Sequence, residues 1–484
     1  MVGRFHLCCI VLLLASAPGC LPDAETARRD WLANRLIEDN RDFLDRDPDA
    51  TAAKWQKMAS DPYLFFRGTS FLFAADHLDP SQADHFATDF GSHAAAQVVV
   101  MGDPHPENLG TLLWSDGTLS IEYNDFDGAL YGPYYLGLRR LAAGFGVLAR
   151  RTEHLDDRAE AAIMEAVVRG YIDEIHRLTQ DDSPTLIREG ESNGTIADDL
   201  LRRSRRDGDA LQNFDRYTEF VDDSRRFLRG DLEPPDGVVL TRRLDDLSSE
   251  ELLLVDALLH RATETLVGDE QSATLHLVDA VRRWGAGVSS YPGLRYYALV
   301  ETDLDAHPEI LLEFKELRDP PALEGLDLWP PRPFANNGER VVTLRREFHE
   351  SDATDPFLGW AVEGPLAFRQ RHLTRYQRNI SVDRITRQLE DGDWFAEDVE
   401  ELAALAGALL ARGHSRSRRA DGTASLTILA ELILPRREAF VEETTSAASV
   451  SVDRLFQDYR VFLELLEERG PLLGYRPATG SSPR

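Results

Sequence analysis

The chain has 484 residues, with 84 acids against 54 lysines and arginines and a net charge of −30. Hydrophobic residues make up 43% and charged residues 29%, the balance of a globular protein with chain enough for one large or two ordinary cores. So acidic a chain argues against nucleic acid and an anionic membrane surface as partners, because both require basic patches. Arginines do cluster at Arg202-Arg203-Ser204-Arg205-Arg206 and over Arg412–Arg419. Acidic neighbours or short length make solvated surface the expectation for both.

The first twenty residues read as an address rather than as fold. Arg4 supplies a positive start, and Leu7–Ala15 is an apolar core of nine residues, too short to span a bilayer. Ala17-Pro18-Gly19-Cys20 then sets small residues ahead of a cysteine. The junction resembles a bacterial lipoprotein signal. That implies export to the cell envelope, on the periplasmic or outer-membrane face, and membrane attachment only through a lipid on Cys20. An ordinary cleaved signal is the alternative. Cys8, Cys9 and Cys20 are the only cysteines, so the mature chain has no intramolecular pair to oxidise.

From Ala24 to Met58 the pattern predicts two helices broken at Asp47-Pro48, with Trp31, Leu32, Leu36 and Ile37 on an apolar stripe. Asp61-Pro62 punctuates, and Tyr63-Leu64-Phe65-Phe66-Arg67-Gly68 follows. Phe65 and Phe66 read as core. Arg67 is either a surface ion-pair partner or, by the family resemblance given below, a contact for phosphate or carboxylate; an arginine fork suits both.

Val98–Asp127 organises the chain. Val98–Val100 reads as a buried strand leading into a loop with Gly102, Asp103, His105, Glu107 and Asn108. Two β-prone runs, Thr111–Trp114 and Leu119–Tyr123, flank Ser115-Asp116-Gly117, which predicts a hairpin. A hairpin returns to its origin, so Asn108 and Asp125 should meet at its open end with Asp103 beside them. Carboxylates and an amide carbonyl suit Mg²⁺, which fills the rest of its shell with water and phosphate oxygens. The phosphoryl-transfer template divides the work: Asp103 takes the acceptor proton, Asn108 and Asp125 hold the metal, and Asp127 assists. The competing reading is an acidic loop that merely caps a hairpin.

Gly102-Asp103-x-His105-x-x-Asn108, followed by a hairpin and Asp125, resembles the catalytic loop and metal-binding aspartate of aminoglycoside phosphotransferases and other kinase-like proteins. More closely, Phe65-Phe66-Arg67-Gly68, the GDPHPENLG and NDFD segments, and Gly132-Pro133 followed by LRRLA resemble a bacterial family of unknown function, number 2252, grouped with the kinase-like folds. The resemblance runs from about Trp55 to about Leu466. It implies ATP and Mg²⁺ as cofactors and a small molecule as substrate. Two departures stand out: Gly137 occupies the place of an aspartate that normally braces the catalytic loop, and Met101 that of a histidine.

Beyond the hairpin, helices are predicted over Tyr134–Arg151 and Arg158–Leu178. Thr179–Asp246 reads as a surface insertion with short helices. Ser248 and Glu251 have the spacing of a capping box, opening a helix to about Leu266. Gly285-Ala286-Gly287-Val288-Ser289 and Gly293 then precede a strand at Leu294–Val300, and Glu309–Leu317 forms a second strand carrying Lys315. Glycine amides approach phosphates closely and a neighbouring lysine reaches them as a point charge, so Gly285, Gly287, Ser289, Gly293 and Lys315 form the candidate nucleotide clamp. A plain β-turn is the alternative. The clamp follows Asp103 by about 180 residues, the reverse of the usual kinase-like order. Such a chain is circularly permuted.

Pro320–Pro333 is a stiff connection. Arg340–Leu344 is predicted as a strand, with Glu347 as the partner of Lys315 and Glu324 competing for that role. Val399–Arg412 is a helix with His414 as its cap, and Arg436–Glu468 is helical but broken at Thr-Thr-Ser-Ala-Ala-Ser. The expected fold is α+β: a two-lobed protein-kinase-like fold, circularly permuted, with helical insertions. Its parts are a leader (1–19), a helical segment (20–60), a kinase-like domain (61–470) and a tail (471–484). Within the domain, 61–178 carries the catalytic loop, 179–270 a helical insertion, 271–380 the nucleotide-binding sheet and 381–470 the last helices. Three functions compete: a phosphotransferase, an exported binding protein of weak or no activity, and a metal-dependent phosphoesterase. The last is suggested by Asp103-Pro104-His105 but lacks a later Gly-Asn-His motif.

Overall fold

A computed structural model describes residues 24–477 apart from 92–97, 115, 182, 184–185, 211–215, 233–241, 321–333, 350–354 and 418–423. The leader, Cys20, Glu324 and most of the Pro-rich connection lie outside the described residues. The architecture is mixed helix and sheet, α+β. Among the described residues no helix is long and apolar enough to cross a membrane.

The chain opens with α1 (Ala24–Asp39), α2 (Arg41–Arg46) and α3 (Pro48–Ala59), three helices where two were expected. Asp47-Pro48 and Asp61-Pro62 each start a helix instead of merely ending one. Each aspartate accepts a backbone N–H of the first turn, from Ala50 at 2.9 Å and Tyr63 at 2.6 Å, while proline takes the first position. Asp61 thus opens α4 (Pro62–Gly68), followed by α5 (Ser70–Leu78) and α6 (Ala83–Phe86). Next, β1 (Val98–Val100) pairs with β4 (Leu130–Gly132), and between them β2 (Leu109–Leu113) and β3 (Leu119–Tyr123) form the expected hairpin.

Long helices build the body: α7 (Tyr134–Arg150), α8 (Asp157–Gln180) and α9 (Thr195–Ala210). The stretch expected as helical insertion also supplies strands: β5 (Thr218–Val221), β6 (Ser224–Phe227), β7 (Gly230–Leu232) and β8 (Arg242–Asp246). These strands are short and rich in charge, so alternation hides them. The capping box at Ser248 and Glu251 forms, opening α10 (Ser249–Thr263). Then come β9 (Leu275–Trp284), β10 (Arg295–Thr302), β11 (Glu309–Leu317), α11 (Asn337–Phe348), β12 (Gly359–Glu363) and β13 (Leu366–His372). Helices α12 (Val382–Glu390), α13 (Ala396–Arg416), α14 (Ser425–Ile433) and α15 (Arg437–Arg469) complete the chain.

Seven strands form one sheet in the order β12-β13-β11-β10-β9-β8-β7, with antiparallel neighbours. It therefore begins well before residue 271, where the nucleotide-binding sheet was expected to start. One face buries Tyr296, Ala298, Val300, Ile310, Leu312 and Phe314 under Val255, Leu258 and Leu259 of α10. The alternate residues, including Leu311, Glu313 and Lys315, lie on the other face, toward the helical body.

Three further expectations need correction. Arg340–Leu344 lies in α11, because Asn336 caps it by accepting the Glu339 N–H at 2.9 Å and Glu339 reaches back to Ala335 N at 2.7 Å. The adjacent valines suggested a strand; the cap overrides them. Helix α15 is unbroken, because Thr444, Ala447, Ala448 and Ser451 are buried small residues and Ser451 returns its hydroxyl to Ala447 O at 2.7 Å. His414 lies inside α13, fully buried against Tyr171 Oη at 2.9 Å, and burial holds it neutral with a pKa near 3.

The first helices straddle both parts. Leu32, Leu36 and Trp55 share a core with Phe462 and Leu465 of α15 and with Val288 from the glycine turn. Arg46 forks onto Glu316 at 2.7 and 2.8 Å, and Lys57 Nζ donates to Gly287 O at 2.5 Å.

Helices α8 and α13 touch backbone to backbone. A Cβ on Gly170 would lie 2.0 Å from Ala404 O, and one on Gly407 2.0 Å from Val167 O. Gly→Ala in an exposed helix gains about 1 kcal/mol. Gly407→Ala should instead destabilise by about 1–3 kcal/mol through overpacking, read as a lower urea midpoint at unchanged slope.

Lys54 is fully buried, with its ammonium donating to Asn40 Oδ1 at 2.6 Å, and burial pulls its pKa down to about 8 despite nearby Asp39. The unfolded chain therefore binds more protons between pH 8 and the usual lysine range, and stability rises with pH across that window. Relative to Lys54→Met, the parent should gain on the order of 2 kcal/mol between pH 7.5 and 9.5 in urea unfolding.

Candidate active site

Val98–Val100 is buried, and the loop after it turns sharply at Gly102, whose φ is +87°. A Cβ there would lie 2.3 Å from Gly128 O, so only glycine lets this loop press against the Asp125–Gly128 segment. At the open end of the hairpin Asn124 N donates to Asn108 O at 3.0 Å, and Asn108 Nδ2 donates to Asp103 O at 2.7 Å. Asn108 is 4% exposed. Its nitrogen is spent on the loop, which leaves Oδ1 as its ligand atom.

Asp103 does not stand alone. Arg140, from α7, gives Nε and Nη2 to its Oδ1 at 2.9 and 2.7 Å, donates to Phe66 O at 2.6 Å and lies over the Phe66 ring at 3.4 Å. Burial raises the Asp103 carboxyl above its ordinary value, more than Arg140 and Arg67 lower it. Arg140 and Asn108 therefore do the bracing absent at Gly137, where a Cβ would only touch His414 at 3.5 Å.

His105 is wedged between Tyr63 Oη at 3.4 Å and Arg67 Nε at 3.2 Å. Burial, then Arg67 and Arg140, push its pKa well down, so it is neutral, with Nε2 accepting from Arg67. Both nitrogens are engaged, and neither is offered to a metal. Arg67 also pairs with Glu107, whose Oε1 receives Val382 N at 3.0 Å, at the start of α12. Arg67 thus makes an ion pair, one of its two predicted roles, and that pair does not spend its exposure to an anion.

The sheet meets this loop at Lys315. Its Nζ contacts the Asp127 carboxylate and lies 3.8 Å from Asp125 Oδ2. Arg369, the cross-strand neighbour of Lys315, reaches Asp127 Oδ1 at 3.2 Å. Two pairs further along, Glu313 is fully buried and accepts from Arg295 at 3.1 Å, Arg369 at 3.0 Å and Arg371 at 2.7 Å. Burial would raise Glu313, but Arg371, Arg295 and Arg369 together hold it well below the usual carboxylate range. Burial likewise opposes ionisation of Asp125, and Lys315 with Arg369 overcomes it, so its carboxyl stays below that range. Its side chain is 42% exposed and thus open to a ligand. Arg340 of α11 donates to the backbone of Asp127, Ala129 and Arg318, which pins the Asp125–Gly128 segment to the sheet.

Not every expected residue converges. Asp127 is held by two cations, so its predicted metal role competes with an ion pair. Glu347 accepts the Tyr131 hydroxyl at 2.6 Å, whereas Asp127 and Asp125 pair with Lys315. Gly285 and Gly287 adopt φ of +74° and +78° and line a cavity. Ser289 is exposed and outside that lining, and Gly293 packs by Ser290 O, Glu316 and Phe43. Arg412, expected at the surface, is buried and paired with Glu122 of β3. Arg140, Glu313, Arg340 and Arg369 were not singled out for the site from sequence. Of these, Arg140 stood in the LRRLA run, a segment with a family resemblance.

The cavity has a volume of about 670 Å³ and lies between the Tyr297–Leu311 face of the sheet and helices α3, α4, α9 and α12. Asp103, Asn108, Asp125 and Lys315 do not line it. They adjoin it through Arg67–Glu107 on one side and Glu313–Arg371 on the other. Among the described residues no three His, Cys, Asp or Glu side chains gather as a metal cage.

Comparison with curated proteins and with solved structures finds no match to this chain. A family described as an uncharacterized protein conserved in bacteria, DUF2252, matches residues 46–465, so the chain belongs to the DUF2252 family.

Proposed function

We propose that the protein is an ATP- and Mg²⁺-dependent phosphotransferase of a small molecule, with a two-lobed kinase-like fold whose nucleotide-binding sheet follows its catalytic loop in sequence. One observation carries this reading: Lys315 stands 3.8 Å from Asp125, although 190 residues separate them in the chain. In kinases the phosphate-binding lysine lies on the third strand of the small lobe, with a helix following. Lys315 lies on the third of the strands β9, β10 and β11, and α11 comes next. The acid facing the lysine differs, because here it comes from the Asp125–Asp127 segment and not from the helix.

The donor set suits Mg²⁺. Asn108 Oδ1 and the ionised Asp125 carboxylate are two hard oxygens, and Mg²⁺ commonly takes one or two protein ligands, water and phosphate oxygens. Lys315 and the amides after Gly285 would receive nucleotide phosphates. When bound, Mg²⁺ and ATP supply the phosphoryl group and neutralise its charge. Asp103 takes the proton of the acceptor hydroxyl, a task suited by a carboxyl raised through burial. The closed ion pair between Asp127 and Lys315 favours the second reading, a binding protein of weak or no activity. Export would add to it, since nucleotide triphosphate is scarce outside the cytoplasm. Both nitrogens of His105 being engaged counts against a phosphoesterase.

Calorimetric titration with Mg²⁺ and a non-hydrolysable ATP analogue separates these readings. Asp125→Ala should weaken binding by about tenfold or more, roughly 1.4 kcal/mol. Asp103→Asn, which keeps an acceptor for Arg140, should bind within roughly twofold of the parent yet transfer nothing. Equal loss in both variants would overturn the division of roles. No binding by the parent would leave the inactive scaffold.

A further inference from the structure

The large cavity carries a charge opposite to that of the whole molecule. Ten arginines and Lys57 line it against three acids, Asp61, Glu107 and Asp383, in a chain with 30 more acids than bases. Some arginines are neutralised from behind: Asp199 holds Arg203 and Arg384, Asp207 holds Arg378, and Glu313 holds Arg371.

Arg283 marks the site most sharply. It is 6% exposed and lines the cavity from the end of β9. It donates to Trp284 O, yet its buried Nε has no hydrogen-bond partner. No carboxylate pairs with it among the described residues. Burying a guanidinium without an anion is costly, and buried polar groups in folded proteins are nearly always satisfied. An anionic ligand would supply what the fold withholds. Tyr217, Tyr297, Leu311 and Leu373 form a less polar end of the same cavity.

We propose that this cavity binds a small polyanion bearing two or more phosphate groups, such as a phosphorylated sugar or polyol. As the acceptor of phosphoryl transfer, the ligand rests on the function proposed above; as a bound polyanion, it does not. Its volume of about 670 Å³ fits a small ligand and not a nucleic-acid duplex. Arginine forks match phosphate oxygens two at a time, and several forks from different elements set shape as well as charge. The cavity reaches the reactive loop through Arg67, which lines it and bonds His105, two residues from Asp103. In the transfer step a ligand hydroxyl gives its proton to Asp103, and its oxygen bonds the γ-phosphorus of ATP. The bond from that phosphorus to the β–γ bridging oxygen breaks, and ADP leaves with the electron pair.

The test uses the full chain without nucleotide or Mg²⁺. Fructose 1,6-bisphosphate and inositol hexakisphosphate are titrated calorimetrically beside fructose and inositol. At least one phosphorylated probe should bind about tenfold or more tighter than its neutral parent. Arg283→Gln should lose about tenfold of that affinity, and Arg216→Gln, an exposed lining position that leaves folding intact, should also weaken it. Asp125→Ala should leave polyanion binding unchanged. The proposal falls if both phosphorylated probes bind no better than the neutral ones. It also falls if Asp125→Ala abolishes their binding while both arginine variants retain it, since the anion then sits at the nucleotide phosphate position. Polyanion binding without any nucleotide binding would instead remove the phosphotransferase reading and leave the cavity assignment standing.

Discussion

Lys315 is 6% exposed, on a strand whose other buried side chains are mostly apolar, and Asp127 and Asp125 meet its ammonium there. Taking an ammonium and a carboxylate out of water costs several kcal/mol each, and only close pairing with further hydrogen bonds repays it. The repayment here is shared. Arg369 holds both Asp127 and Glu313, and Glu313 gathers Arg295 and Arg371. Sheet and hairpin are thus joined by an alternating run of charges in which no member is replaceable singly by an apolar residue. Hydrophobic contact would hold the two parts together; it would not fix which lysine stands against which aspartate.

The first helices give this joint a fixed frame. Their apolar stripe belongs to the α15 core, while Arg46 and Lys57 reach the sheet at Glu316 and at the glycine turn. The turn's own Val288 is buried among them. Any opening of the cavity must therefore move α1–α3 with the sheet or break the Lys57 bond to Gly287.

Much of this was legible where chemistry is local. The hairpin follows from two β-prone runs around Asp116-Gly117, and β11 ends where its apolar pattern ends. The α10 cap follows from Ser248 and Glu251. What stayed hidden is the pairing between distant side chains. Nothing near Asp103 announces Arg140; the kinase-like reading sets Lys315 opposite Asp125, but nothing near Lys315 announces that Asp127 pairs with it and Glu347 does not. Half of the cavity's arginines, Arg67, Arg151, Arg203, Arg216 and Arg283, come from scattered elements, and the other half, Arg371, Arg375, Arg378, Arg384 and Arg387, share one stretch with a single acid that was not read as a basic patch. The −30 charge even masks it. Local clusters misled in the opposite sense, since Arg412 is buried and Arg203 faces the cavity. Two valines in α11 obscured a cap that Asn336 and Glu339 spell out.

The packing of α1 against α15 has a consequence for how the molecule comes into being. Arg28 forks onto Asp458 at 3.0 and 2.5 Å, across 430 residues, and Leu32, Leu36 and Trp55 complete their core only with Phe462 and Leu465. On the ribosome the first helices therefore emerge with no surface to cover their apolar stripe, and wait until α15 has been made. Loop closure over such a span places the final step late and makes it slow. The acids at Asp125 and Asp127 likewise stay solvated and unpaired until Lys315 has been made.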